Sequence, residues 1–123
     1  MEKPIKDILK KGLAARVGGS LWIEANGERF FGPGPVELLE RIAETGSISA
    51  AAKEMKMSYK KAWELINHLN EQTERPVVIP QTGGEKGGGS ALTEEALRLI
   101  EYHKALRKRF ADFLSEESKR LQS

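Results

Sequence analysis

Cysteine is absent from the 123 residues. This removes disulfides, thiolate metal sites and a cysteine nucleophile. Histidine is scarce: His68 and His103 are the only two, so neither a zinc nor an iron centre is expected and no metal ligands are assigned. Long apolar runs are missing as well. Residues 1 to 12 alternate charges with isolated apolar side chains, a pattern that fits neither a signal peptide nor a membrane span and makes the cytoplasm the expected location. There is no large excess of either charge. The formal net charge is +2, so attraction to an anionic partner has to come from how charge is distributed along the chain. No spacing ties a serine to a base, and Asp112, Glu116 and Glu117 read as solvating groups, so no catalytic residues are expected and the chain reads as a non-enzyme. The glycine-rich stretch from Gln81 to Ser90 does not make a phosphate loop. Gly84 and Gly89 have the right separation, but Ser90-Ala91 stands where Lys-Ser/Thr is required. No nucleotide or other cofactor is expected.

What the chain does contain is 39% hydrophobic and 31% charged residues, the balance of one globular domain with a highly charged surface. Its organisation divides into residues 1–19, 20–93 and 94–123. In the first, Ile5, Ile8, Leu9 and Leu13 fit either a short amphipathic helix or a frayed leader. In the second, Asn26-Gly27 lies between Leu21-Trp22-Ile23-Glu24-Ala25 and Glu28-Arg29-Phe30-Phe31, which predicts a two-residue hairpin turn. That register sets Glu24 across from Arg29 as an ion pair and Ile23 across from Phe30 as an apolar pair. Gly32-Pro33-Gly34-Pro35 then breaks the strand, with Pro35 suited to a first helical turn. Val36, Leu39, Ile42 and Ala43 follow at helical spacing, with Gly46 as the stop.

The most informative stretch is Gly46-Ser47-Ile48-Ser49-Ala50-Ala51-Ala52-Lys53-Glu54-Met55-Lys56-Met57-Ser58-Tyr59-Lys60-Lys61-Ala62-Trp63. It predicts two short helices joined by a tight turn, capped by Ser47 and Ser58. The small residues at 50 to 52 allow close approach, with Met57 and Ile66 as the apolar seam. Lys56 occupies a turn position that favours positive φ, where a side chain costs on the order of 1 kcal/mol. The second helix runs to about Gln72, and Arg75-Pro76 ends it. Val77-Val78-Ile79 and Ala91-Leu92 read as two strands joined by a glycine-rich wing over 81–90. From Thr93, a cap by residue type, a long helix of about 40 Å begins. Its stripe of Leu99, Leu106, Phe110, Phe113 and Leu121, broadened by Leu97, Ile100 and Leu114, exceeds what one small domain covers and points to a second copy of the chain. The fold class is mainly α with small β hairpins, a winged helix-turn-helix with a long C-terminal helix.

Lys53, Lys56, Lys60 and Lys61 face a single Glu54, concentrating positive charge on the motif. A charge run usually means a solvated helix face, but coincidence with the motif favours contact with duplex DNA. Ser58, Tyr59, Lys60 and Lys61 are expected to approach base edges, and Lys53, Arg75 and Lys86 to hold phosphates. Tyr59 and Trp63 share a helix face, and the reading favours a core position for Trp63. The rival reading is a protein–protein interaction module on the same scaffold, without direct DNA readout.

The 46–52 run with Met57-Ser58 resembles the helix-turn-helix of LysR-type regulators. A wider set is similar to the N-terminal DNA-binding domain of ModE-type molybdate-responsive regulators. It comprises Leu21-Trp22-Ile23-Glu24, Gly32-Pro33-Gly34, Ser58-Tyr59-Lys60-Lys61-Ala62-Trp63, Asn70, Arg75-Pro76-Val77-Val78, the glycines from Gly83 to Gly89, and Leu92-Thr93. The resemblance implies a homodimeric regulator that places the helix from Ser58 in the major groove and the glycine-rich loop as its wing. Members of that family carry C-terminal molybdate-binding modules, whereas the sequence stops at Ser123. The expectation is therefore a ModE-like regulator without its own molybdate-binding domain, any sensing falling to a separate partner.

Overall fold

A computed structural model describes residues 2–81 and 89–123. It separates into two compact units, Trp22–His103 and the pair of segments Met1–Leu21 and Lys104–Ser123. The first unit begins with an antiparallel hairpin, β1 (Ile23–Ala25) and β2 (Glu28–Phe31). Three helices follow: α1 (Pro33–Thr45), α2 (Ile48–Glu54) and α3 (Tyr59–Gln72). A second antiparallel hairpin, β3 (Val78–Gln81) with β4 (Gly89–Leu92), leads into α4 (Glu94–Gln122). This order is a winged helix-turn-helix with a long C-terminal helix. The boundary between the units cuts α4 instead of falling at its start.

The core joins both hairpins to the helices. Phe31, Leu38, Leu39, Ile42, Leu69 and Val77 are fully buried, and Ala51, Ala52 and Ala62 are sealed at the crossing of α2 with α3. Small side chains there bring the two backbones together, which larger ones would prevent. Ala43, expected in the core, is exposed, and Leu38 takes the inward place beside Leu39 and Ile42. The four-residue step from Leu38 to Ile42 turns α1 slightly further round than the expected set assumed.

Local chemistry sets most boundaries. Asn26 and Gly27 have φ of 53° and 79°, the positive values that a tight hairpin turn demands. Beyond the turn the pairing slips. Glu24 opposes Arg29 as expected, but a bulge sets Ile23 opposite Phe31, not Phe30. The expected Glu24–Arg29 ion pair is replaced by a ladder through Trp22. The guanidinium of Arg29 stacks 3.8 Å from the indole centroid, and the indole Nε1 donates to Glu24 Oε1 at 3.1 Å. α1 starts two residues before Pro35, with Gly32 as its N-cap and Pro33 inside the first turn, where missing amide protons cost nothing. Gly46 closes α1 in the left-handed region at φ 73°.

Gly46 also anchors the second hairpin. Its carbonyl accepts from Ser90 N at 2.8 Å, and a Cβ built on Gly89 would lie 3.1 Å from that oxygen. Gly89 is thus explained by close approach, not by a loose tip. Gln81, Gly89 and Ser90, expected in the wing loop, are strand residues. The remainder of the expected tip, 82–88 with Lys86, lies outside the described residues.

In the other unit, the helix considered for residues 5–13 is reduced to a three-residue 3-10 turn, Lys6–Ile8, with no side-chain cap. Ile5, Ile8 and Leu13 are exposed, so the apolar spacing there finds no face to pack on and helix formation has little to drive it. Val17 N donates to Ser118 Oγ at 2.9 Å, and Gln122 Nε2 donates to Ala15 O at 2.8 Å. Phe110 and Phe113 stack with centroids 6.4 Å apart. Among the described residues no helix is long and apolar enough to cross a membrane.

Lys56 sits between α2 and α3 at φ 56°, the conformation anticipated for the turn. Lys56→Gly should therefore raise stability by up to about 1 kcal/mol. A chemical denaturation midpoint that falls on this substitution would contradict the assigned strain.

Candidate nucleic-acid interface

Two serines open the two helices of the motif. Ser47 Oγ accepts from Ala50 N at 3.1 Å, and Ser58 Oγ accepts from Lys61 N at 3.1 Å. Each satisfies an amide that the helix itself leaves without a partner. Met55 N, Lys56 N and Met57 N donate back to carbonyls of residues 51–53, so the turn folds tightly and delivers the amino end of α3 to the surface.

That end is open. Ser58, Tyr59, Lys60 and Lys61 are all exposed, as are Lys53 and Lys56. The first turn of α3 contains no acidic residue. The inward face of α3 is set by Ala62, Ile66 and Leu69. Tyr59 and Trp63 flank that face, and both remain about half exposed, at 55% and 49%. The expected core position of Trp63 is therefore incorrect: Ala62, one residue earlier, takes the inward place, and the next side chain lies about 100° round the helix.

The charge pattern around the motif is cleaner than the sequence alone suggests. Arg41 on α1 donates through Nη1 to Glu54 Oε1 at 2.8 Å and through Nη2 to Glu37 Oε1 at 2.9 Å. Hydrogen bonding to Glu37 and then to Glu54 pushes the guanidinium pKa up from its ordinary value. Glu54, the lone carboxylate among the four lysines, is thus paired with α1. The lysines keep their field, while the unit as a whole carries more acidic than basic residues. Attraction to an anion is local to the motif. Arg41 was not singled out from the sequence, although its spacing of four from Glu37 and its place on α1 were visible.

The remaining expected contacts are scattered. Arg75 lies beyond α3, 81% exposed in its side chain, and approaches Glu95 of α4 at 3.7 Å. Lys86 lies outside the described residues. Behind α3, Asn70 Oδ1 accepts from Val77 N at 2.8 Å, and Thr93 Oγ1 bonds to Pro76 O at 2.8 Å while receiving Ala96 N at 3.3 Å. These bonds tie the end of α3, the start of β3 and the cap of α4 into one support. His103 is buried edge-on to Phe31, with ring centroids 5.6 Å apart. Among the described residues no group of three or more His, Asp or Glu side chains is placed to hold a metal ion.

Of the stripe expected to pair two copies, Leu99 packs against the core of its own unit. Leu106 and Phe110 are half-buried, and Phe113 is exposed. A Cβ on Gly19 would come 3.2 Å from the Phe110 ring, so Phe110 is partly covered by the leader segment of its own unit.

Residues 35–97 match the model of a family described as bacterial regulatory helix-turn-helix protein, lysR family. The chain is 44% identical over 77 residues to "Transcriptional regulator ModE" of Haemophilus influenzae, covering 63% of this chain and 30% of that protein. It is also 44% identical to "DNA-binding transcriptional dual regulator ModE" of Escherichia coli K12, with 63% and 29% covered. "Molybdenum-pterin-binding protein MopB" of Rhodobacter capsulatus is 41% identical over 99 residues, 80% of this chain and 36% of that protein. The chain spans about a third of the length of these curated relatives. A solved chain, ArgP from Mycobacterium tuberculosis, aligns with a TM-score of 0.49 and 18% identity over 69% of this chain and 30% of that one, too loose a likeness to bear on function.

Proposed function

Because the chain belongs to the lysR family of bacterial regulatory helix-turn-helix proteins, we propose that it binds duplex DNA sequence-specifically as a homodimer and regulates transcription. The observation that carries this reading is the exposed amino end of α3, capped by Ser58 and offering Tyr59, Lys60 and Lys61 with no acid in the turn. A helix end of this kind fits the major groove, where side chains reach base edges and the amide dipoles favour phosphate. Lys53, Arg75 and Lys86 are the cations assigned to phosphates in this reading. The reading as a protein-interaction module is not favoured, since it gives no role to the lysines gathered at that end.

Dimer formation is supported by Phe113, a large apolar side chain left exposed on α4 beside half-buried Phe110. A two-fold dimer reads an inverted repeat whose half-sites lie about 34 Å apart or a multiple of that distance. The relatives named for molybdenum or ModE make molybdate the effector to test, supplied through a separate partner or a further domain. Selection of bound sequences from random duplex DNA, with and without molybdate, tests the whole reading. A defined inverted repeat is expected; recovery of unenriched sequence would contradict specific binding.

A further inference from the structure

Trp63 lies one helical turn after Tyr59 and stays about half exposed, although an indole gains considerably from burial. It borders a hollow of about 200 Å³ whose lining includes Asn67, Asn70, Ile79 and Pro80. The hollow is smaller than the roughly 300 Å³ at which small-molecule sites begin, so a metabolite is a poor occupant. Two polar atoms of its rim are already engaged. Asn70 Oδ1 accepts from Val77 N at 2.8 Å, and Asn67 Nδ2 donates to Glu71 Oε1 at 3.1 Å. What remains is an apolar spot, with Ile79 also exposed at 44%, bordering the lysine-bearing turn at the start of α3.

In the major groove the natural complement of such an apolar spot is the C5 methyl of thymine. We propose that Trp63 is a specificity-determining residue that packs its indole on a thymine methyl within each half-site. This rests on the DNA-binding reading above. It adds a contact that needs no hydrogen bond and distinguishes thymine from cytosine by shape. The lysines before it bring the duplex close, and Trp63 selects among the sequences so delivered.

The test replaces single thymines of one half-site by deoxyuridine, which removes only the methyl group. Affinities are measured for the wild-type chain, W63A and W63F. At one thymine position the wild type should lose about fourfold, the worth of burying one methyl-sized group. W63A should bind the thymine and uracil duplexes equally, and W63F should keep part of the preference. Because the ratio is internal to each protein, a general loss of affinity in W63A leaves it readable. A W22F variant, in which Trp63 is the only remaining indole, supplies an independent signal: its emission should change on binding, and change less with the uracil duplex. An undiminished methyl preference in W63A, or emission unmoved by bound DNA, overturns the role of Trp63 while leaving DNA binding intact. Failure of the wild type to bind any duplex overturns the DNA reading itself.

Discussion

The K60A/K61A double variant should bind its selected duplex about 100-fold more weakly at about 0.15 M salt, since two contacts of this type are each worth roughly a factor of ten. Both side chains are exposed, so stability should stay within about 0.5 kcal/mol of the wild type. The salt dependence separates a direct contact from a folding defect. Losing two cations beside the duplex should flatten the slope of log affinity against log salt, by up to about 1.8. A weakened affinity with an unchanged slope would mean that the lysines act on the protein and not on the duplex. The pairing of Glu54 with Arg41 sharpens this expectation, because no carboxylate among these lysines competes with the phosphates. The converse change, R41A, frees Glu54 within the same field and should weaken binding in the same direction.

F113E should turn the proposed dimer into a monomer. Phe113 is 54% exposed within its own unit, so a carboxylate there costs the isolated fold little, yet it cannot be buried against a second copy without a large desolvation penalty. Sedimentation should then report a single chain at micromolar concentration. Affinity for the inverted repeat should fall by about 100- to 10,000-fold, because two half-sites no longer share one binding event. A variant that remains dimeric would move the interface elsewhere, towards Leu97 or Tyr102, which are also exposed on α4.

The parts of the fold legible in the sequence are those fixed by local chemistry. Asn26-Gly27 permits only a narrow set of turns, Gly46 stops a helix through its φ, and Ser47, Ser58 and Thr93 each accept an amide hydrogen bond from the third residue ahead. Such features depend on one or two residues and survive any tertiary setting. The misses all depend on what lies opposite. Helical spacing places Tyr59 and Trp63 on one face but does not say which face turns inward, and the partners of Ala62, Ile66 and Leu69 decide that. The bulge that moves Ile23 from Phe30 to Phe31 follows from Phe31 being drawn wholly into the core. Gly89 looks like part of a glycine tip until the carbonyl of Gly46 is found 3.1 Å from where its Cβ would be. The residues of the candidate site were nameable because they cluster in sequence around the turn. Arg41 was not, because its effect on that site reaches from another helix.

Backbone amide shift mapping of the protein against its selected duplex addresses the amino end of α3 directly. The largest changes are predicted at residues 58 to 63, saturating at one dimer per duplex, with those of the buried supports Leu39 and Ile42 nearly still. Tight binding that leaves the amides of 58 to 63 unshifted, and moves another surface instead, would contradict the account.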